Sequence, residues 1–424
     1  MNRLLLSAAA IWLAYASFAG AQQALSPSAM RAHPRIDYLA GTTTDPVARL
    51  NEKLKSGALV LRDEPTRGYL RSVLDALDVP VESQILVFSK TSFQGPRIGP
   101  HNPRAIYFND QVAVGWVRGG DVLEFAAQDP TQGTVFYTLA QPGTGPSEFR
   151  RNNVACVQCH SSEATVYVPG MFVGSVYPEK NGMPAYGPAY LTDHRTPFEL
   201  RWGGWYVTGD HSSRHLGNAV VTDPNNLEGM ATLETSHVRS LAGRFDPDGY
   251  LSTDSDLVAL LVMEHQAYML NLITRIGWDA RVGSDAGRSI SATAAELVDY
   301  MLFVDEAALP DRIAGSTRFA AVFQSRGPRD AKGRSLRDLQ LSGRLMKYPC
   351  SYLIYSPAFD ALPAIAKDAI YQRLWEVLSD ADHSPRYTRL TMADREAILE
   401  ILRATKPGLP DYFFPAFFPA ASGY

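Results

Sequence analysis

The sequence predicts an α+β fold in three parts: an antiparallel β-rich region near the N-terminus, a loop-rich middle, and a helical C-terminal third. Three observations support this expectation. Short β-branched and aromatic runs fill residues 84–140, turn-forming residues are frequent over 161–251, and long segments of helical spacing follow. The expected divisions of the chain are 1–21, 22–150, 151–251 and 252–424.

Two helices are expected before the β region, in DPVARLNEKLKSG and TRGYLRSVLDALDVP. Apolar residues recur there at helical spacing, and Gly57 and Pro80 end the segments. The β region itself contains the runs ILVFSK, AIYFND, VAVGWV, VLEFAA and TVFYTLA, separated by turn residues. WYVTG is a further strand candidate in the loop-rich part.

The first helix of the last third is expected in SDLVALLVMEHQAYMLNLITRIG, ending at Gly277. Its length resembles that of a membrane span. Glu264, His265 and Arg275 favour a buried core helix, because such groups are costly in hydrocarbon. Further helices are expected in ATAAELVDYMLFVDEAA, AIAKDAIYQRLWEVLS and MADREAILEILRAT, and SYLIYSP is expected to be a strand or an extended connector.

Composition excludes several classes of function. Lys and Arg total 40 against 44 Asp and Glu, without a block of like charges, so nucleic acid is not an expected partner. No repeat of solenoid length, phosphate-binding glycine loop, nucleophile elbow or H-E-x-x-H motif occurs in the sequence.

The N-terminal residues have the pattern of a secretory signal peptide. Arg3 supplies a basic start, an apolar run extends from Leu4 to Phe18, and Ala19 and Ala21 form an A-x-A site. The run is short for a membrane span. Cleavage after residue 21 is therefore expected, with the mature protein in the periplasm or secreted and without stable membrane insertion.

Two of the three cysteines lie close together in NVACVQCHSS, where Cys156 and Cys159 are followed at once by His160. C-x-x-C-H is the attachment signature of c-type haem. One turn of helix presents both thiols to the vinyl groups of a porphyrin, and the following imidazole is the proximal iron ligand. The motif predicts one covalent haem, held by Cys156, Cys159 and His160.

Other roles for the cysteine pair explain less. A disulfide across so small a loop would stabilise the fold very little. A thioredoxin-like pair belongs at a βα junction that this region lacks, and a zinc site needs further ligands. Cys350 is left over and is expected to be an inert, buried thiol.

The segment CVQCHSS resembles the haem attachment site of c-type cytochromes, which implies one covalent haem and redox activity. The likeness covers these few residues only. A small class I cytochrome has its motif near the N-terminus, whereas here it lies mid-chain after a β region. RWGGWYVTG and YPCSYLIYS resemble segments of uncharacterised bacterial proteins that carry a cytochrome c motif.

The second axial ligand has candidates of two kinds. Met171 lies 11 residues after His160, and Met183 and Met230 follow. Methionine ligation suits an electron carrier, although a methionine in an apolar segment is commonly core. Histidines cluster in the same loop-rich region, where His194 and His215 precede His211 as candidates for a ligand or for proton transfer.

Haem propionates need hydrogen-bond donors, and RTPFELRWGGWYVTG supplies them in Arg201 and Trp202. The same segment also fits an aromatic strand packed on the core. The aromatic tail, DYFFPAFFPAASGY, is expected to fold back over the protein; docking to a partner or membrane is the alternative.

The sequence thus predicts a periplasmic monohaem c-type cytochrome with electron-transfer activity. Its partner would be a redox protein or a small-molecule oxidant or reductant. A haem oxidoreductase of peroxidase or oxygenase type, with an open or displaceable distal site, is the alternative, because a simple carrier rarely needs about 400 residues around one haem. A non-haem binding or structural protein is a second alternative.

Overall fold

A computed structural model describes residues 25–144, 147–152, 154–185, 189–221, 223, 238–310 and 312–414. The expected signal peptide, Met230, Phe417 and Phe418 lie outside the described residues.

The helices follow the expected order, with a short helix before the first expected pair. Helix α2 begins at Asp45, whose carboxylate accepts hydrogen bonds from the amides of Val47 and Ala48. The α-helices of the described residues are α1 Pro27–Ala32, α2 Pro46–Lys55, α3 Leu70–Ala76, α4 Val157–His160, α5 Leu257–Val282, α6 Ile290–Met301, α7 Phe319–Ser325, α8 Pro357–Asp360, α9 Ala364–Leu378 and α10 Met392–Thr405.

All five runs of the expected β region form strands, β1 to β5. The strands of the described residues are β1 Ile85–Val87, β2 Arg104–Phe108, β3 Val112–Trp116, β4 Val122–Asp129, β5 Gly133–Ala140, β6 Phe149–Arg151, β7 Val173–Ser175, β8 Tyr190–Thr192, β9 Trp205–Tyr206, β10 Gly209–Asp210, β11 Ala314–Gly315, β12 Leu339–Ser342 and β13 Arg344–Met346. The α+β class, with an antiparallel N-terminal region and a helical last third, is confirmed.

Among the described residues, seven strands form one antiparallel sheet in the order β6-β5-β4-β3-β2-β1-β9. Five of the six neighbouring pairs join strands that are consecutive in the chain, as expected for a meander. The sixth neighbour pair is different, because β9 comes from the loop-rich middle and pairs Trp205 with Val87 at the far edge. This pairing attaches the middle of the chain to the N-terminal sheet.

Both faces of the sheet are buried, and the residues alternate between them. Leu86, Tyr107 and Val114 face a core built with α2 and α3. Ile85 and Phe108 face the second core, which α5 and the later helices complete. The sheet therefore separates the two hydrophobic cores.

Helix α5 is buried on nearly every side. The helical stretch Leu257–Ala286 is long and apolar enough to cross a membrane, with a mean hydropathy of 1.3 in its most apolar window, yet 94% of that window is buried inside the protein. The expected end at Gly277 is wrong, and α5 continues to Val282. A Cβ at Gly277 would meet Leu362 at 3.1 Å, so this glycine permits close helix packing instead of ending the helix.

The segment SYLIYSP is neither a strand nor an extended connector. Tyr352–Tyr355 forms a turn of 3-10 helix, which begins where the Ser351 hydroxyl accepts a hydrogen bond from the Leu353 amide. This local cap competes with an extended backbone.

The start of α5 is fixed by Asp256, which is fully buried. Its Oδ1 accepts hydrogen bonds from the amides of Val258 and Ala259. Its Oδ2 accepts two more from the amide and hydroxyl of Thr317, both at 2.8 Å. One carboxylate thus joins α5 to the segment before α7.

We expect Asp256→Ala to lower the free energy of unfolding by at least about 2 kcal/mol, because a helix cap is lost and buried donors lose their acceptor. Urea unfolding measures this effect. The control is Thr391→Ala, which removes the exposed cap of α10 and is expected to cost about 1 kcal/mol. Equal losses in the two variants would contradict the role given to Asp256.

Candidate functional site

The cysteine motif forms one turn of helix, as expected from its spacing. Cys156 precedes α4, and its carbonyl accepts a hydrogen bond from the His160 amide at 2.9 Å. Cys156 is half-buried and Cys159 is exposed, and both are free thiols. Two sulfurs and one imidazole are therefore presented by five consecutive residues.

The ring of His160 is held from two directions. Its Nδ1 donates to the Gly170 carbonyl at 2.9 Å, and its ring packs between Phe136 and Phe172 at centroid distances of 4.9 and 5.2 Å. Burial lowers the pKa of His160 below its ordinary value. The imidazole is thus neutral with the proton on Nδ1, which leaves the lone pair on Nε2, as metal-ligating histidines require.

Gly170 is required at this point of the chain. Its amide also donates to the His160 carbonyl at 2.9 Å, so the two residues are joined by two hydrogen bonds. A Cβ at Gly170 would lie 2.0 Å from Oδ1 of Asn271 on α5. The loop can therefore approach α5 closely enough only because this position has no side chain.

A cavity of about 220 Å³ lies beside the motif. Both cysteines and His160 line it. Among the other residues that line the cavity are Phe93, Arg104, Ile106, Ala113, Gly115, Glu124, Ala126, Phe136, Thr138, Met171, Phe172, Val173, Trp205 and Met263.

One face of the sheet forms the floor of this cavity. The register places Ile106, Gly115, Glu124 and Thr138 in one row across β2 to β5, because consecutive residues in this series are paired. A second row contains Ala113, Ala126 and Phe136. The small side chains of Ala113 and Ala126 keep the second row low, whereas the side chain of Arg104 covers Gly115 in the first row.

A buried ion pair lies on the same floor. Arg104 pairs with Glu124, which also accepts hydrogen bonds from Ser92 and Gln94, both at 2.9 Å. The guanidinium lies over Gly115, where a Cβ would be 2.5 Å from Nη2. Among the described residues, Nε of Arg104 has no hydrogen-bond partner although it is buried. The Nε–H group of Arg104, beside the cavity, is therefore a donor that the described residues do not use.

These residues fit a covalently bound haem. They supply two thiols, one neutral imidazole, apolar and aromatic walls, and a guanidinium donor of the kind that binds carboxylates. The volume is below the range of about 300–1,000 Å³ typical of small-molecule sites. A porphyrin would therefore extend beyond the mouth, where Phe93 and Cys159 are exposed.

Burial and the nearby Glu124 carboxylate raise the pKa of Cys156 to about 11, against an opposing effect of Arg104. A redox-active cysteine pair needs the opposite shift, because the thiolate is the reactive form. The described residues also contain no group of three or more His, Cys, Asp or Glu side chains that would hold a metal ion. Neither a thioredoxin-like role nor a zinc site gains support.

Of the predicted distal residues with described positions, Met171 lines this cavity, whereas His194 and His215 do not. Nδ1 of His194 lies 2.9 Å from Nδ1 of His265, whose Nε2 lies 2.8 Å from the Ser351 hydroxyl. All three side chains are buried, and His265 belongs to α5 itself. His194 therefore belongs to a core hydrogen-bond chain.

His215 and His211 form a second buried pair, with 3.2 Å between their Nε2 atoms. Nδ1 of His215 accepts a hydrogen bond from the Gly217 amide at 2.9 Å, so its proton is on Nε2. Burial lowers the pKa of His215 to about 3. A neutral imidazole with its proton on Nε2 is poorly prepared to bind iron through that atom.

The predicted propionate donors, Arg201 and Trp202, also lie outside the cavity. Arg201 is 1% exposed and forms an ion pair with Glu264 at 3.0 Å. It donates further hydrogen bonds to the carbonyls of His194 and Thr196. From this aromatic segment Trp205 lines the cavity instead, with its indole N–H bonded to the Gly174 carbonyl.

Three lining residues carried no recognisable signal in the sequence. Arg104 and Glu124 are 20 residues apart and meet only through the pairing of β2, β3 and β4. Met263 lies inside an apolar helix, where the pattern of the sequence indicates only core. Cys350 is fully buried, as expected, and burial raises its pKa to about 12.

The chain matches no protein-family model, no curated protein and no solved structure.

We expect the thiols to react in a fixed order in protein produced without haem attachment. Iodoacetamide should label exposed Cys159 first and Cys156 much more slowly, because the raised pKa leaves little thiolate near pH 8. Buried Cys350 should react only after unfolding. Peptide mass spectrometry over a time course measures all three rates; labelling of Cys156 as fast as Cys159 would contradict the site geometry.

Proposed function

We propose that the protein is a monohaem c-type cytochrome with redox activity, with haem attached through Cys156 and Cys159. One observation carries the proposal: the two thiols and the oriented imidazole of His160 line a single cavity. A C-x-x-C-H sequence that occurred by chance would not need its histidine fixed by a carbonyl on Nδ1.

Each residue has a defined part in this proposal. Cys156 and Cys159 would hold the porphyrin by thioether bonds, and His160 would bind the iron through Nε2. Arg104 offers its Nε donor to a propionate and remains compensated in charge by Glu124. When bound, the haem supplies a one-electron couple; the protein orients it and shields one side from water.

Met263 is our candidate for the sixth ligand. Met171 directly follows Gly170, whose carbonyl holds His160, so it belongs to the same wall of the cavity as the proximal ligand. Met263 comes from α5, a different element, and is 5% exposed. A thioether ligand raises the reduction potential and suits electron transfer.

The proposed compartment is the periplasm or the exterior of the cell. The signal-like residues 1–21 support it, since covalent haem attachment is paired here with an export pattern. The proposed partner is a redox protein or a small-molecule oxidant or reductant. Phe93 and Cys159 line the cavity and are exposed, so a partner that contacts this surface would lie next to the proposed haem.

A haem oxidoreductase is the second candidate, and one observation favours it. Arg104 and Glu124 place a cation and a carboxylate on the cavity floor, and electron transfer alone requires no carboxylate that could move a proton there. Such a pair can polarise a small bound molecule and move a proton to or from it. The two candidates differ in whether the sixth position is filled by protein.

We expect the protein produced with a cytochrome maturation system to stain for haem on a denaturing gel and to give the pyridine haemochrome spectrum of haem c. Cys156→Ala combined with Cys159→Ala should lose both signals, because the thioether bonds are lost. Cys350→Ala is the matched control and should keep them, since Cys350 lies in the core away from the cavity. A stained double variant or an unstained wild type would reject the proposal.

The electronic spectrum of the purified protein tests the sixth ligand. We expect low-spin haem that is indifferent to cyanide and CO, and we expect Met263→Leu to convert it to high-spin haem that binds both. Met171→Leu and the buried control Met301→Leu should leave the spectrum unchanged. If only Met171→Leu gave high-spin haem, the sixth ligand would be Met171 and not Met263. A high-spin spectrum of the wild type would favour the oxidoreductase.

A further inference from the structure

A second cavity, of about 410 Å³, lies on the other side of the segment that follows Gly170. Met171, Phe172 and Val173 line both cavities, so these three residues are a shared wall. The volume is within the range typical of small-molecule sites, about 300–1,000 Å³. Exposed Tyr167 and Leu191 border it, which indicates access from solvent.

Glu264 is the deepest charged group of the second cavity and is 1% exposed. Its Oε2 accepts a hydrogen bond from Arg201. Its Oε1 is buried and has no partner of hydrogen-bond geometry among the described residues. The neighbouring Thr192 hydroxyl, which opposes the rise in the pKa of this carboxyl, donates to the Val173 carbonyl at 3.2 Å. Since buried acceptors without partners are costly and uncommon, Oε1 of Glu264 indicates a ligand that brings a donor.

The charges around the cavity disfavour an ionic ligand. Four carboxylates line it, as do three guanidiniums: Glu163, Asp193, Glu264, Glu296, Arg195, Arg275 and Arg288. Asp193 is paired with Arg195, and Arg275 with Asp279 outside the lining. Positive and negative charges around the cavity are therefore nearly equal in number. A neutral ligand with a hydrogen-bond donor would bind there at the least electrostatic cost.

The apolar part of the lining is largely aromatic. Tyr167, Phe172 and Tyr268 contribute rings, and Leu272 adds an aliphatic wall. Rings of this kind favour an aromatic ligand, since offset and edge contacts add to the gain from apolar burial.

We propose that the second cavity binds a small neutral aromatic alcohol of the phenol class, whose hydroxyl donates a hydrogen bond to Oε1 of Glu264. The binding rests on the second cavity alone and does not require haem. The shared wall places such a ligand next to the segment that positions His160.

The test is 19F NMR of the mature full-length protein with 4-fluorophenol as the probe. We expect it to bind at least about tenfold more tightly than 4-fluoroanisole, which has the same ring without the donor. 4-Fluorobenzylamine tests a cationic donor and should bind no better than 4-fluoroanisole. Equal affinity for phenol and anisole, tighter binding of the amine, or no binding of the phenol would each overturn the proposal.

Variants locate the site. At about pH 8, above the pKa of about 7 to which burial raises the Glu264 carboxyl, Glu264→Gln should weaken binding of 4-fluorophenol by about tenfold, since a charged acceptor is replaced by a neutral one. Glu306→Gln is the matched control: Glu306 is also buried, accepts from the Leu345 amide, and lies outside the cavity, so its variant should bind normally.

Ala267→Leu fills part of the cavity and, because residues 264 and 267 lie one turn apart on α5, also crowds Glu264, so it should abolish binding. The comparison of phenol and anisole in the wild type keeps the proposal falsifiable should Glu264→Gln not fold. Unchanged binding in a folded Ala267→Leu variant would place the ligand elsewhere and reject this site.

Discussion

The rest of the structure depends on the burial of α5, a helix whose polar side chains must find partners inside the protein. Arg201 neutralises Glu264, and the His194 ring bonds that of His265. Both partners come from the loop-rich middle of the chain, so that segment is bound to one register of α5. The same register places Met263 in the cavity of the cysteine motif and Glu264 in the neighbouring cavity. The pairing of these buried polar groups therefore determines which side chains of α5 line each cavity.

The motif cavity is made by three elements that have little else in common. The sheet supplies a floor of small residues with one ion pair, α4 supplies the thiols and imidazole, and α5 supplies the opposite wall. Gly170 joins them, because its carbonyl holds His160 while the absence of a side chain allows contact with Asn271. This arrangement explains why the ring of His160 is held in one orientation in a region with few regular elements.

Local patterns were enough to predict the elements but not the cavity. The spacing of apolar residues and the positions of turn-forming residues predicted the five strands and the long helices. The C-x-x-C-H spacing predicted one turn of helix at the motif. His194 and His215 were predicted to be haem ligands or proton donors, and Arg201 a propionate donor, because they lie in the loop-rich region. That region folds so that their side chains enter the core. Arg104 and Glu124 meet through strand pairing, which the sequence specifies only through the whole sheet.

The central claim is that the sulfurs of Cys156 and Cys159 carry one haem, and peptide mapping by mass spectrometry tests it most directly. Trypsin cleaves after Arg151 and Lys180, so one peptide, 152–180, contains both cysteines and His160. In protein from a host with a working cytochrome maturation system, this peptide should carry the mass of one haem, and the peptide of Cys350 should be unmodified. An unmodified 152–180 peptide with two free thiols would contradict the account.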